Sequence, residues 1–168
     1  MTKFRRFYAL LAVLVLAVAL LSACSGGGSG DKPGVNAKLE TLDMPALEKR
    51  LAANKGKVTL IMFWATWCPA CKTELPVLEQ LRAKYSSDQL DIMAVSVDDT
   101  EAGMSGYLQS RPTSVQVLLS KADVSTEFGV TTIPALVIFD GEGQVAFNSA
   151  GAYPLEMLDP VVGQLVKG

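Results

Sequence analysis

The sequence predicts an α/β fold built on a parallel or mixed sheet that is covered on both faces. Three observations predict it. Val58 to Trp64 is an unbroken apolar, β-branched and aromatic run, the pattern of a strand buried on both sides. Asp91 to Val97 reads as a second buried strand. Between them Cys71, Leu75, Leu78 and Tyr85 recur at helical spacing, so strand and helix alternate.

Taken in order, the first helix runs from about Met44 to Asn54. The Asp43 carboxylate can accept from the free amides of its first turn, and Leu47 and Leu51 form its apolar stripe. Lys55-Gly56-Lys57 ends it, and Val58 to Trp64 follows as the central strand. The next helix, between Cys68 and Tyr85, has Lys72, Glu79, Arg82 and Lys84 for its wet side. Pro76 falls inside it and removes one backbone donor, which predicts a kink.

After the strand at Asp91 to Val97 come a helix from Thr100 to Ser110 and a short strand from Val115 to Leu119. Asp98 and Asp99 read as caps for that helix, because no further carboxylate cluster joins them to hold a metal. Ala122 to Phe128 is a short helix closed by Gly129. Strands at Ala135 to Phe139 and Val145 to Phe147, joined through Asp140-Gly141-Glu142-Gly143, read as a hairpin. A final helix from about Pro154 to Val166 lays Leu155, Leu158, Val161, Val162 and Leu165 on a sheet face. Met93, Met104 and Met157 read as core filler.

Composition narrows the function. The 168 residues carry a formal charge of -2, and removing Lys3, Arg5 and Arg6 with a leader would make it -5, which offers no electrostatic footprint for nucleic acid. The sequence contains no histidine, which excludes Ser-His-Asp and Cys-His nucleophiles and the usual His-containing metal sites. Its three cysteines divide into one near the N-terminus and two sharing a helical turn.

Lys3, Arg5 and Arg6 precede an apolar run from Phe7 to Leu21, about 15 residues long, the length of a signal-peptide core rather than a membrane span. Leu21-Ser22-Ala23-Cys24 resembles the lipobox of bacterial lipoproteins, which implies removal of residues 1–23 and lipidation of Cys24. A plain secretory leader cleaved near Ala23 is the alternative, and it would leave Cys24 a free thiol. Residues 24–35 contain Ser25-Gly26-Gly27-Gly28-Ser29-Gly30, too little apolar surface to fold, and read as a tether. Residues 36–168 form the folded domain. Ser25, where the enterobacterial inner-membrane signal would have aspartate, favours the outer membrane where the organism has one.

Cys68-Pro69-Ala70-Cys71 lies where the central strand passes into a helix. A sulfur there meets free backbone amides and the positive end of the helix dipole, which stabilises a thiolate. Cys71 is one turn further on the same face, within reach of a disulfide. Three other roles fit less well. A ring this small would restrain the unfolded chain by only about 2 kcal/mol. Zinc would need two more ligands, and neither histidine nor a second CxxC is present. Haem attachment needs histidine where Lys72 stands.

The segment Phe63-Trp64-Ala65-Thr66-Trp67-Cys68-Pro69-Ala70-Cys71-Lys72-Thr73-Glu74-Leu75-Pro76 resembles the active-site segment of the thioredoxin superfamily, in its membrane-associated TlpA/ResA-like branch. Thr132-Ile133-Pro134 is similar to the cis-proline loop of that family, and Phe139-Asp140-Gly141 to the hairpin that follows it. The resemblance covers about 130 residues, from roughly Asn36 onward. It implies a thioredoxin-like fold, a central mixed β-sheet flanked by helices on both faces. It also implies a redox-active Cys68–Cys71 disulfide without a cofactor, a cis Pro134 against it, an Ile133 backbone that pairs with client protein, and a Trp67 that shields the nucleophile.

Thioredoxins proper place a buried aspartate six residues before the first cysteine, and here that position is Met62. The TlpA/ResA-like branch carries a glutamate at the place of Glu74, which makes Glu74 the candidate proton acceptor; a solvated helix glutamate is the alternative. Leu39 to Asn54 reads as a single helix, against the N-terminal hairpin of that branch. By resemblance the protein is a monomeric oxidoreductase acting on protein thiols and disulfides, apocytochrome c among the possible clients, with a DsbD/CcdA-like membrane thiol protein as electron donor. The competing readings are a disulfide oxidase or isomerase, and a non-catalytic binding module on the same scaffold.

Overall fold

Seven consecutive buried residues form β2, Val58–Trp64, in the middle of a mixed sheet. The computed structural model describes residues 38–97 and 100–168. Before β2 lie β1 (Thr41–Leu42) and α1 (Met44–Ala53). After it come α2 (Pro69–Lys84), β3 (Leu90–Ser96), α3 (Glu101–Ser110), β4 (Gln116–Ser120) and α4 (Ala122–Glu127). The hairpin β5 (Ala135–Phe139) and β6 (Val145–Ala150) and the helix α5 (Leu155–Lys167) complete the order. The described strands form a six-stranded sheet in the order β1-β4-β3-β2-β5-β6. The pairs from β1 through β4 and β3 to β2 are parallel, and β5 pairs antiparallel with both β2 and β6.

The alternation of side chains along β2 divides the core in two. Leu60, Met62 and Trp64 point to the side of Leu75, Leu78, Met104, Leu158 and Val162, from α2, α3 and α5. Ile61 and Phe63 meet Leu47 of α1 and Val124 of α4 on the other. Each fully buried leucine of α2 contributes roughly 1.5–3 kcal/mol by leaving water. Apolar burial thereby fixes α2, and with it the position of Cys68.

A polar clamp joins α1 to the sheet. Arg50 donates from Nε and Nη2 to the two Asp91 carboxylate oxygens at 2.6 and 2.9 Å, and Asn54 Nδ2 donates to Asp91 Oδ2 at 2.7 Å. Burial alone would raise the Asp91 carboxyl, but the bonds and charge of Arg50 hold it below its ordinary value. Removing the acid leaves Arg50 and Asn54 half-buried without that partner. Asp91→Ala is expected to cost about 2 kcal/mol in urea unfolding at neutral pH.

Several expectations need adjustment. Thr41 and Leu42 form a short parallel edge strand on β4 ahead of α1, with Leu119 N donating to Glu40 O and Lys121 N to Leu42 O, both at 2.9 Å. A two-residue strand is too short to show a period, so the reading of Leu39 to Asn54 as one helix missed it. The strand expected at Val145 to Phe147 continues to Ala150, because it pairs with the whole of β5. Met93 and Met104 are buried, whereas Met157 is exposed on α5. Arg82 leaves the wet side of α2 and donates to the Leu90 carbonyl at 2.6 Å. Asp98 and Asp99 lie outside the described residues, and the cap of α3 is Thr100, whose Oγ1 accepts from Gly103 N at 3.1 Å. Helix α2 runs through Pro76 without a break.

Candidate active site

The chain leaves β2 at Trp64 and enters α2 at Pro69, with Cys68 as the capping residue in extended conformation. Proline suits the first helical position because its fixed φ fits and its missing N–H is not needed there. Cys68 Sγ accepts from the Cys71 amide at 3.2 Å, so a first-turn amide points at the sulfur. That contact and the helix dipole favour negative charge on Cys68. The two cysteines form a disulfide, with their Cα atoms 5.3 Å apart. Cys71 is fully covered and Cys68 is 4% exposed, so an incoming group reaches Cys68 first.

Across from the disulfide the Ile133-Pro134 peptide is cis. The Ile133 carbonyl oxygen lies 3.8 Å from Cys68 Sγ, and the Pro134 carbonyl accepts from Gly151 N at 2.8 Å. Beside this segment lies an open groove of about 430 Å³, lined by Trp67, Val97, Ser125, Val130, Thr131, Thr132 and Ile133. Trp67 is 60% exposed, a large apolar surface left in water at the rim of the disulfide. Among the described residues the polar side chains of the lining are the hydroxyls of Ser125, Thr131 and Thr132 and the Trp67 indole.

Glu74 sits one turn beyond Cys71 on α2 and is 1% exposed. Its Oε1 accepts from Tyr153 N at 3.2 Å, while Oε2 is buried with no protein partner. Burial pushes the carboxyl up to about 7, and the Tyr153 amide only partly opposes that rise. The reading of Glu74 as a solvated helix residue is therefore excluded. Met62 is fully buried among apolar side chains, and β2 contributes no acid to the site. A carboxyl that titrates near neutrality beside a dithiol can take up or release the proton of Cys71.

Comparison with known proteins gives the same assignment. Residues 56–145 match the family model described as thioredoxin-like. The chain belongs to the thioredoxin-like family. A curated relative, the thiol–disulfide oxidoreductase ResA of Halalkalibacterium halodurans, is 26% identical over 176 residues, 99% of this chain and 98% of its own length. Among solved structures, a thiol:disulfide interchange protein DsbE from Chlorobium tepidum superimposes with a TM-score of 0.64 at 26% identity, covering 69% of this chain and 84% of its own. DsbF from Mycobacterium tuberculosis gives 0.60 at 29% identity, covering 67% and 84%. The thioredoxin-like domain with its Cys68–Cys71 pair is a thiol–disulfide oxidoreductase of the ResA/DsbE type.

The thioredoxin-like fold gathers Trp67, Cys68, Cys71, Ile133 and Pro134 around one disulfide and buries Glu74 behind it. Cys24 lies outside the described residues. The sequence reading passed over Tyr153, which meets Glu74 from 79 residues away, and Gly151, which holds the Pro134 carbonyl. No local pattern marks either residue, because both act through backbone amides that every residue but proline carries. Val97, Ser125 and Val130 join the groove by folding alone.

Proposed function

We propose that this oxidoreductase is an extracytoplasmic, membrane-anchored reductase of disulfides in exported proteins. The buried carboxyl of Glu74 behind Cys71 carries the reading, because a reductase must deprotonate its second cysteine to release a client. The Cys68 thiolate attacks one sulfur of a client disulfide, and the other client sulfur leaves as a thiolate and takes up a proton. Cys71 then gives its proton to Glu74 and attacks Cys68 Sγ. The second client sulfur leaves as a thiolate and takes the proton held by Glu74, so the client departs with two thiols and the protein keeps the disulfide. Two electrons and two protons have passed to the client, and a DsbD/CcdA-like membrane dithiol restores Cys68 and Cys71.

Trp67 and Ile133 are assigned to client contact, with Pro134 setting the loop against the dithiol; protein clients such as apocytochrome c fit this chemistry. Residues 1–23 are assigned to a signal peptide, 24–35 to a lipidated tether and 36–168 to the catalytic domain, acting as a monomer. The Leu21-Ser22-Ala23-Cys24 motif supports attachment at Cys24, and Ser25 favours an outer membrane where one exists. Several acyl chains would hold the domain firmly, since each buried methylene contributes about 0.8 kcal/mol.

The reduction potential tests the direction of electron flow. Proteins of this chemistry span about 150 mV, from roughly -270 mV for thioredoxin to -120 mV for DsbA, or about 7 kcal/mol for two electrons. Equilibration with a dithiol buffer is expected to place the Cys68–Cys71 pair nearer the thioredoxin end. A value near that of DsbA would make the protein an oxidase.

A further inference from the structure

The turn between β6 and α5 touches both halves of the active site. Gly151 N donates to the Pro134 carbonyl at 2.8 Å, on the segment that faces Cys68. Two residues later Tyr153 N donates to Glu74 Oε1 at 3.2 Å, behind Cys71. Gly151 has φ +117, a conformation that side-chain-bearing residues rarely adopt, and this lets the chain turn between the two contacts. Tyr153 is itself pinned: its hydroxyl lies 2.6 Å from Ser149 Oγ and 3.2 Å from the Ala150 carbonyl, and its ring meets Phe147 edge-on at 5.4 Å.

We propose that Tyr153 is a positioning residue of the exchange reaction, whose anchored hydroxyl holds the 151–153 turn so that Glu74 and the client-facing Ile133-Pro134 segment keep one fixed relation to the dithiol. The proposal rests on the exchange reading above. Oε2 of Glu74 has no protein partner, so the Tyr153 amide is the one described hydrogen bond that aims this carboxyl. Among the described residues no charged side chain acts on it from the sheet, from α5 or from its own helix; burial and that amide do. A bond from an amide favours the carboxylate, so loosening the turn makes Glu74 a poorer proton acceptor at neutral pH.

Tyr153→Phe removes the hydroxyl and keeps the ring, and Ser149→Ala removes the nearer of the hydroxyl's two partners. The Glu74 carboxyl is followed by carbon NMR across pH in the reduced protein, and the rate of reduction of a disulfide-bonded peptide is measured over the same range. Both variants are expected to move the Glu74 titration upward and to lower the rate near pH 7 by about threefold, with Tyr153→Phe the stronger. In a Glu74→Gln background, Tyr153→Phe is expected to lower the rate by less than it does in the wild type, leaving only what passes through the Ile133-Pro134 segment. An unmoved titration in both variants, or an equal loss of rate without Glu74, overturns the positioning role. If the wild-type dithiol reduces no peptide, the exchange reading falls, while the NMR titration still decides whether Tyr153 holds Glu74.

Discussion

Replacing Cys71 with serine is expected to stop turnover and leave clients covalently joined to Cys68. The expectation follows from the order of exposure, because Cys68 alone keeps any surface while Cys71 is fully covered on the inner side of α2. Attack by Cys68 needs only a thiolate, which the Cys71 amide at 3.2 Å and the helix dipole stabilise. Release needs a second thiol in line with the mixed disulfide, and among the described residues only Cys71 supplies one. Turnover should fall on the order of a thousandfold or more, since residues that act as a unit fail together. Non-reducing gels of cell extracts should then show discrete adducts that dithiothreitol dissolves. Cys68→Ser should show none, because the buried Cys71 cannot reach a client. Equal trapping by both variants would reverse the assignment of the nucleophile, and trapping by neither would reduce the domain to a binding scaffold.

Much of this site was legible in the sequence because its parts are local. The cis Ile133-Pro134 loop was expected only from the resemblance to the family, but the other parts are plainer: an unbroken apolar run sets β2, and a CxxC at its end sets the cap of α2. Each is a pattern of a few adjacent residues governed by backbone sterics or by burial. Contacts across the chain were less legible. Whether Glu74 is solvated or buried depends on whether another segment covers its side of α2, and the turn holding Tyr153 does so from 79 residues away. The edge strand Thr41–Leu42 was hidden for a different reason: its existence depends on pairing with β4, and two residues carry no period of their own. Met157 shows the same limit from the other side, an apolar residue assigned to a core that its position on α5 does not reach. What sequence lacks in each case is the partner.

Glu74→Gln is expected to slow exchange and to stabilise the fold at the same pH. The carboxyl is buried and pushed up to about 7 from an ordinary value of 4.5, so the folded state prefers it protonated. Its contribution to stability is therefore complete below pH 4.5, is lost as pH rises from there to about 7, and stays lost above. The loss is roughly 3 kcal/mol, from about 1.36 kcal/mol for each pKa unit. Glutamine cannot ionise, yet its oxygen can still accept from the Tyr153 amide. Urea unfolding of the oxidised variant should match wild type near pH 4 and exceed it by up to about 3 kcal/mol at pH 8. Exchange should show the opposite sign. Above pH 7 the Glu74 carboxylate can accept the Cys71 proton, and general bases of this kind contribute 10²–10⁴-fold, so the variant should be about a hundredfold slower at pH 8. Near pH 5 both proteins carry a neutral side chain there, and their rates should converge. A residue kept only for folding would not be an ionisable group whose charged form weakens the fold. The cost in stability at pH 8 and the gain in rate share one cause, an acid buried one turn beyond Cys71. A variant that gains no stability at pH 8 and loses no rate would place the carboxylate in contact with water and remove it from the chemistry.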